Sequence, residues 1–121
     1  MYDCTSSGTF SATSREPEAG LFTLRGIPAG IHGKGPFWAN FDGSHVDGSL
    51  AGSVDSPDPS KNIKWLKLTA TPTPNTTGVF SNVALIQRTD TRGGLTPAGP
   101  CTVPKTVAVD YSAIYVFWAK K

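Results

Sequence analysis

The chain has 121 residues, enough for one domain around a single core. Charged residues make up only 17% and the formal net charge is +2, too little to steer the molecule onto nucleic acid or an acidic lipid surface. Serine and threonine fill about a fifth of the chain, beside 13 Gly and 10 Pro, a mixture that suits short strands joined by many turns.

Taken in chain order, the first strand centres on Phe10, and short strands follow at 21–25, 31–34 and 37–41. The stretch from His45 to Val54 is the fifth. Residues 63–71 form another, whose apolar phase slips between Trp65 and Leu66 and so predicts a bulge there. Residues 79–91 carry the apolar centre Val83-Ala84-Leu85-Ile86 and end at the turn Arg92-Gly93-Gly94. The clearest strand runs over 106–118, with Val107, Val109, Tyr111, Ala113, Tyr115 and Phe117 on one face. The loops fall at 53–61, 72–78 and 93–104. About eight short strands and no helix-period stretch predict an all-β, single-domain antiparallel β-sandwich or small β-barrel over residues 1–121.

Cys4 and Cys101 are the only cysteines, and no metal-type spacing accompanies either. They read as one disulfide tying the two ends together, with two separate buried thiols as the alternative. Such a bridge places the protein in an oxidising, extracellular compartment. The start Met1-Tyr2-Asp3-Cys4 carries no signal peptide, so Met1 reads as a start placed on a mature domain. The longest apolar run, 113–119, is too short to span a bilayer as a helix, so membrane insertion is not expected. Asn75-Thr76-Thr77 is a glycosylation sequon.

Candidate chemistry concentrates between Gly30 and Ser49, which holds both histidines. His45-x-Asp47 is half of a two-histidine, one-carboxylate site, and a hairpin can bring His32 against Asp42, His45 or Asp47 to hold copper, zinc or iron. The competing account makes Asp42-Gly43 a type I′ hairpin turn and His32 a hydrogen-bonded structural residue. On that account no cofactor is bound. Calcium at Asp55 and Asp58 is disfavoured by the stiff Pro57 and Pro59 around them. Glu16 and Glu18, flanking Pro17, lie about 6–7 Å apart if they share a strand face, near a retaining-glycosidase separation. One strand edge cannot flank a sugar from both sides, however, so an ion pair of Glu18 with Arg25 or Arg88 is the simpler role. No nucleophile elbow is present.

Arg88 and Arg92 beside Gly93-Gly94 can build an anion-binding nest, or they are ordinary surface cations. Lys61, Lys64 and Lys67 around Trp65 read as the wet face of a strand rather than a single-strand nucleic-acid patch. Of the three tryptophans, Trp65 and Trp118 are expected inside, while Trp38 is the one placed to stack on a sugar ring.

The segments "PEAGLFTLRG", "GIHGKGPFWANFDGSHVDG", "SPDPSKNIKWLKLTA", "VALIQRTDTRGGLTPAGPC" and "VDYSAIYVFW" together resemble a family of small secreted domains of unknown function found in bacteria and fungi. Fungal members of that family often carry a malate dehydrogenase label. The strongest pieces are Gly35-Pro36-x-Trp38, Asp42-Gly43-Ser44, Trp65-Leu66 and the turn from Gln87-Arg88 to Gly93-Gly94. The resemblance implies secretion, a Cys4–Cys101 pairing and one compact domain, and brings no activity. It includes His32 but not His45. No glycine-rich strand–helix turn supports a dehydrogenase.

The expected function is therefore a secreted, non-catalytic binding module for an extracellular glycan or a host protein, possessing an elicitor's size and compartment. Its candidate ligand-binding residues are His32, Trp38, Asp42 and Arg88. The alternative is a small extracellular metalloenzyme using His32 with Asp42, His45 or Asp47.

Overall fold

The computed structural model describes residues 1–12 and 19–120. Ten strands and no helix occur among them: β1 (Tyr2–Cys4), β2 (Phe10–Ala12), β3 (Ala19–Phe22), β4 (Pro28–Gly33), β5 (Phe37–Asn40), β6 (His45–Val54), β7 (Trp65–Pro72), β8 (Val83–Gly93), β9 (Thr106–Val107) and β10 (Tyr111–Ala119). Seven form one antiparallel sheet in the order β10-β8-β7-β6-β5-β4-β3, and the others a small sheet ordered β2-β1-β9. The all-β expectation holds, as one curled sheet with a small second sheet in a single small domain. No described helix is long and apolar enough to cross a membrane.

The large sheet is a run of neighbouring antiparallel strands, so alternation along each strand decides its two faces. The concave face carries Trp38, Val46, Leu68, Ala70, Val83 and Ile86, all buried, with Phe80 from a loop and Leu66, Tyr115 and Phe117 packed alongside. Full burial of side chains such as Val46 or Ile86 contributes about 1.5–3 kcal/mol each. The sheet curls far enough that side chains of β10 meet those of β4 and β5 over this core. The Trp38 ring on β5 lies 5.4 Å from Tyr115 and 6.0 Å from Phe117, both edge-on, although β5 and β10 are far apart in the strand order. Gly48 makes room for that indole: a Cβ there would stand 2.8 Å from Trp38 Cζ3.

Two elements depart from the sequence expectation. Residues 106–118 obey a single alternation but are two strands, β9 pairing with β1 and β10 with β8. Alternation records which face a residue takes and is blind to which sheet the strand has joined. The bulge expected at Trp65-Leu66 lies instead on the neighbouring strand, where the β6–β7 ladder shifts between Leu50 and Gly52. β7 itself alternates without interruption, Leu66, Leu68 and Ala70 inward, and Trp65 falls on the opposite face from Leu66.

The small sheet is stapled to the rest. Cys4 and Cys101 form a disulfide with Cα atoms 5.9 Å apart. Around it, the Cys4 amide donates to the Lys105 carbonyl (2.7 Å) and the Cys101 amide to the Gly8 carbonyl (3.0 Å). The Tyr2 hydroxyl donates to the Gly94 carbonyl at the end of β8, tying the small sheet to the large one.

Candidate functional site

The β4–β5 hairpin sets His32 directly opposite Trp38. The two rings stack with centroids 4.5 Å apart and planes 14° from parallel. Both are buried, His32 at 4% exposure and Trp38 at 1%, so Trp38 is a core residue and not the exposed sugar platform expected from the sequence. Residue 38 faces inward because its cross-strand partners on either side, His32 and Val46, do.

Both imidazole nitrogens of His32 are engaged. Nδ1 lies 2.7 Å from the Phe37 carbonyl, which can only accept, so Nδ1 carries the proton. Nε2 is then the acceptor for the Tyr115 hydroxyl at 3.2 Å. Burial is the main cause pushing the His32 pKa from 6.5 down to about 4; the Phe37 carbonyl opposes it and the charge of Arg88 adds to it. At neutral pH His32 is therefore an uncharged, fixed ring.

The metal set is not assembled. His45 pairs with Ala39 across β5–β6 and stacks on Phe37 (5.3 Å), on the opposite face of the sheet from His32. Its Nε2 meets Asp47 Oδ1 at 3.1 Å. Among the described residues, no three His, Cys, Asp or Glu side chains gather into a potential metal site.

Asp42 is also elsewhere. Residues 41–44 join β5 to β6, and only Gly43 takes positive φ (96°), so the turn is a longer loop than the two-residue type I′ hairpin. The Asp42 carboxylate accepts the Ser44 hydroxyl (2.6 Å) and amide (2.9 Å) on Oδ1 and the Val79 amide (2.8 Å) on Oδ2. Ser44 Oγ in turn accepts the Phe80 amide at 3.1 Å. The Ser44 hydroxyl, followed by the two amides, holds the Asp42 carboxyl below its ordinary 3.8. This clamp pins the loop after β7 onto the β5–β6 turn. Gly78 closes it: its φ is +139°, and a Cβ there would lie 2.5 Å from both carboxylate oxygens.

Arg88 does join His32 and Trp38. Its β8 position faces inward beside Leu66 on β7 and Tyr115 on β10. Nε and Nη2 both donate to the Lys64 carbonyl, at 3.1 and 2.8 Å. No carboxylate among the described residues pairs with it. Arg88 and Tyr115 line two adjoining cavities inside the curl. The smaller, about 310 Å³, also touches His32, Trp38, Leu66 and Lys34. The larger, about 950 Å³, opens between the two outer strands of the sheet, β3 and β10, and is lined by Leu21, Phe22, Val109, Tyr111 and Phe117.

The remaining sequence candidates disperse. Gly93 and Gly94 both have positive φ, as a nest needs, but the Gly93 amide donates to Asn62 Oδ1 (2.8 Å) and the Gly94 amide to the Asp110 carbonyl (3.1 Å). The protein's own oxygens fill that nest. Lys61 sits 3.8 Å from Asp58 and Lys64 3.6 Å from Asp55, so the basic cluster and the suggested calcium ligands face one another. Trp118, expected inside, is 53% exposed, its Nε1 donating to Gln87 Oε1 at 2.8 Å. Glu16 and Glu18 lie outside the described residues.

Residues 23–119 match a family model described as a protein of unknown function, DUF3455. The chain belongs to that family. Comparison with curated proteins and with solved structures gave no match. The DUF3455 span contains every strand from β4 to β10, and so the whole His32–Trp38–Arg88–Tyr115 cluster. Cys4 lies outside it, so the disulfide fastens the DUF3455 sheet to the strand that precedes it. Tyr115 is the site residue that function-first reasoning from the sequence passes over. Alternation already put it on the same face as Phe117, but nothing local says that this face meets His32.

Proposed function

We propose that this DUF3455 chain is a non-catalytic extracellular binding domain that takes a small ligand inside the curl of the large sheet. One observation carries the proposal: two adjoining cavities, each within the size range of ligand sites, share an inward-facing arginine and a tyrosine. Binding rather than turnover is supported by the state of the neighbouring groups. His32 is neutral with both nitrogens engaged, and among the described residues no serine, threonine or free thiol stands within its hydrogen bonds. The Cys4–Cys101 disulfide supports an extracellular address.

The test is Nile red, a neutral dye whose emission shifts to the blue in apolar cavities. Wild type should shift it, and Ala113→Trp, which adds an indole to the lining of the larger cavity, should abolish the shift while keeping the native far-UV circular dichroism and a cooperative thermal transition. An unshifted dye with the wild type removes the proposal.

A glycan partner keeps support at a different residue. On the outer face, Trp118 is exposed and its Nε1 is anchored to Gln87, leaving an aromatic ring of the kind that stacks on sugars. Retardation in a gel cast with soluble β-glucan, lost in Trp118→Ala, is the expected result; equal mobility with and without the glucan removes it.

A further inference from the structure

We infer that the interior site recognises an amphipathic carboxylate, its headgroup paired with Arg88 and its hydrocarbon tail laid along the β3–β10 cleft. The inference rests on the interior-binding proposal and names its ligand class.

The larger cavity divides by chemistry. Leu21, Phe22, Val109 and Phe117 make most of it apolar, and Asp110 and Arg88 are the charged side chains of its described lining. At the junction with the smaller cavity stands a guanidinium whose described bonds are two donations, both to one neutral carbonyl. The fork of an arginine matches a carboxylate with two parallel hydrogen bonds, and its charge persists at any relevant pH. Tyr115 OH, 3.4 Å from Tyr111 OH, adds hydroxyls at the same junction. A fixed positive charge beside a mostly apolar cleft fits a ligand with one negative head and one apolar tail. A sugar leaves its hydroxyls unpaired against such walls, and a purely apolar molecule leaves the arginine without a counter-charge. Among the described residues no carboxylate pairs with that guanidinium: Asp110 lines the same cavity but forms no ion pair with Arg88, and the sheet places Asp42 and Asp47 elsewhere.

The probes are sodium laurate and its uncharged match, methyl laurate, competed against Nile red on the full chain and followed directly by titration calorimetry. Laurate should displace the dye at about tenfold lower concentration or better, the worth of a charge-assisted hydrogen-bond pair. Arg88→Gln should bring laurate to the level of methyl laurate while leaving methyl laurate unchanged, and Arg88→Lys should retain part of the preference. If dye and both esters and acids bind without an acid preference, the ligand class is wrong and the interior site stands. If neither dye nor laurate binds, both fall. Should Arg88→Gln lose the native fold, the wild-type ratio of laurate to methyl laurate still decides the matter, since a ratio near one overturns the inference.

Discussion

Acidification from pH 7 to pH 4 should destabilise this protein through one side chain, His32. In the folded state the ring titrates at about 4, and in the unfolded chain at the ordinary 6.5, chiefly because the fold removes the ring from water. Between those values the unfolded state binds a proton that the folded state refuses. Stability therefore rises with pH across the window and is lost as pH falls through it. The difference, at about 1.4 kcal/mol per pH unit, amounts to about 3 kcal/mol over the window. Besides the stacked Trp38 indole, the groups facing the ring are the Phe37 carbonyl, Tyr115 OH and Arg88, none of which offers a formal negative charge to receive an imidazolium.

Urea unfolding followed by tryptophan fluorescence reads the effect. With a denaturant slope of about 1–3 kcal/mol per molar, the wild-type midpoint should fall by about 1–3 M between pH 7 and pH 4. His32→Gln keeps a donor for Phe37 and an acceptor for Tyr115 but cannot take the proton, so its midpoint should lack that component. Asp42 titrates on the other side of the window: its carboxyl is held below 3.8, so its contribution is lost only as pH falls further. Parallel midpoint curves for wild type and His32→Gln would refute the argument, as would an NMR titration placing the His32 ring near 6.5.

Reduction of Cys4–Cys101 frees a loop of 97 residues in the unfolded chain and should cost about 4–5 kcal/mol by the chain-entropy model. An unchanged urea midpoint under reductant would contradict it. Asp42→Ala should release the Ser44 and Val79 amides, seen as faster hydrogen exchange at those two positions, and Gly78→Ala should copy it by driving the carboxylate away. Retained protection in Gly78→Ala would show that the clamp tolerates a side chain there. Gly48→Ala should cost about 1–3 kcal/mol, because its methyl meets an indole that is itself fully packed. A thermal midpoint equal to wild type would mean that Trp38 can move aside.

Local pattern revealed the strands and concealed how they close. His45–Val54 reads as a strand because its polar and apolar residues alternate, and it is one, with the same bounds. The same alternation gives His32, Trp38, Arg88 and Tyr115 a face each, yet it cannot say that these faces are one concave surface. That depends on the curl, which is a sum of small twists over seven strands and on the ladder shift at Leu50–Gly52, opposite a β7 whose own pattern slip suggested a bulge on the wrong strand. Trp38 shows the consequence. Gly35-Pro36 before it and Asn40 after it look like the surroundings of an exposed ring, and only the arrival of Tyr115 and Phe117 from the far end of the sheet buries it. Trp118 errs in the opposite direction: an apolar run normally marks a strand covered on both faces, but β10 lies at the end of the strand order and its outer face remains open. Asp42-Gly43 was legible as a turn, whereas the carboxylate's partner, the Val79 amide, lies 37 residues away and leaves no local signal. Residues that act with their neighbours can thus be found from the chain alone. A site assembled by closure, like the one around Arg88, becomes visible only when β10 has come round to β4 and β5.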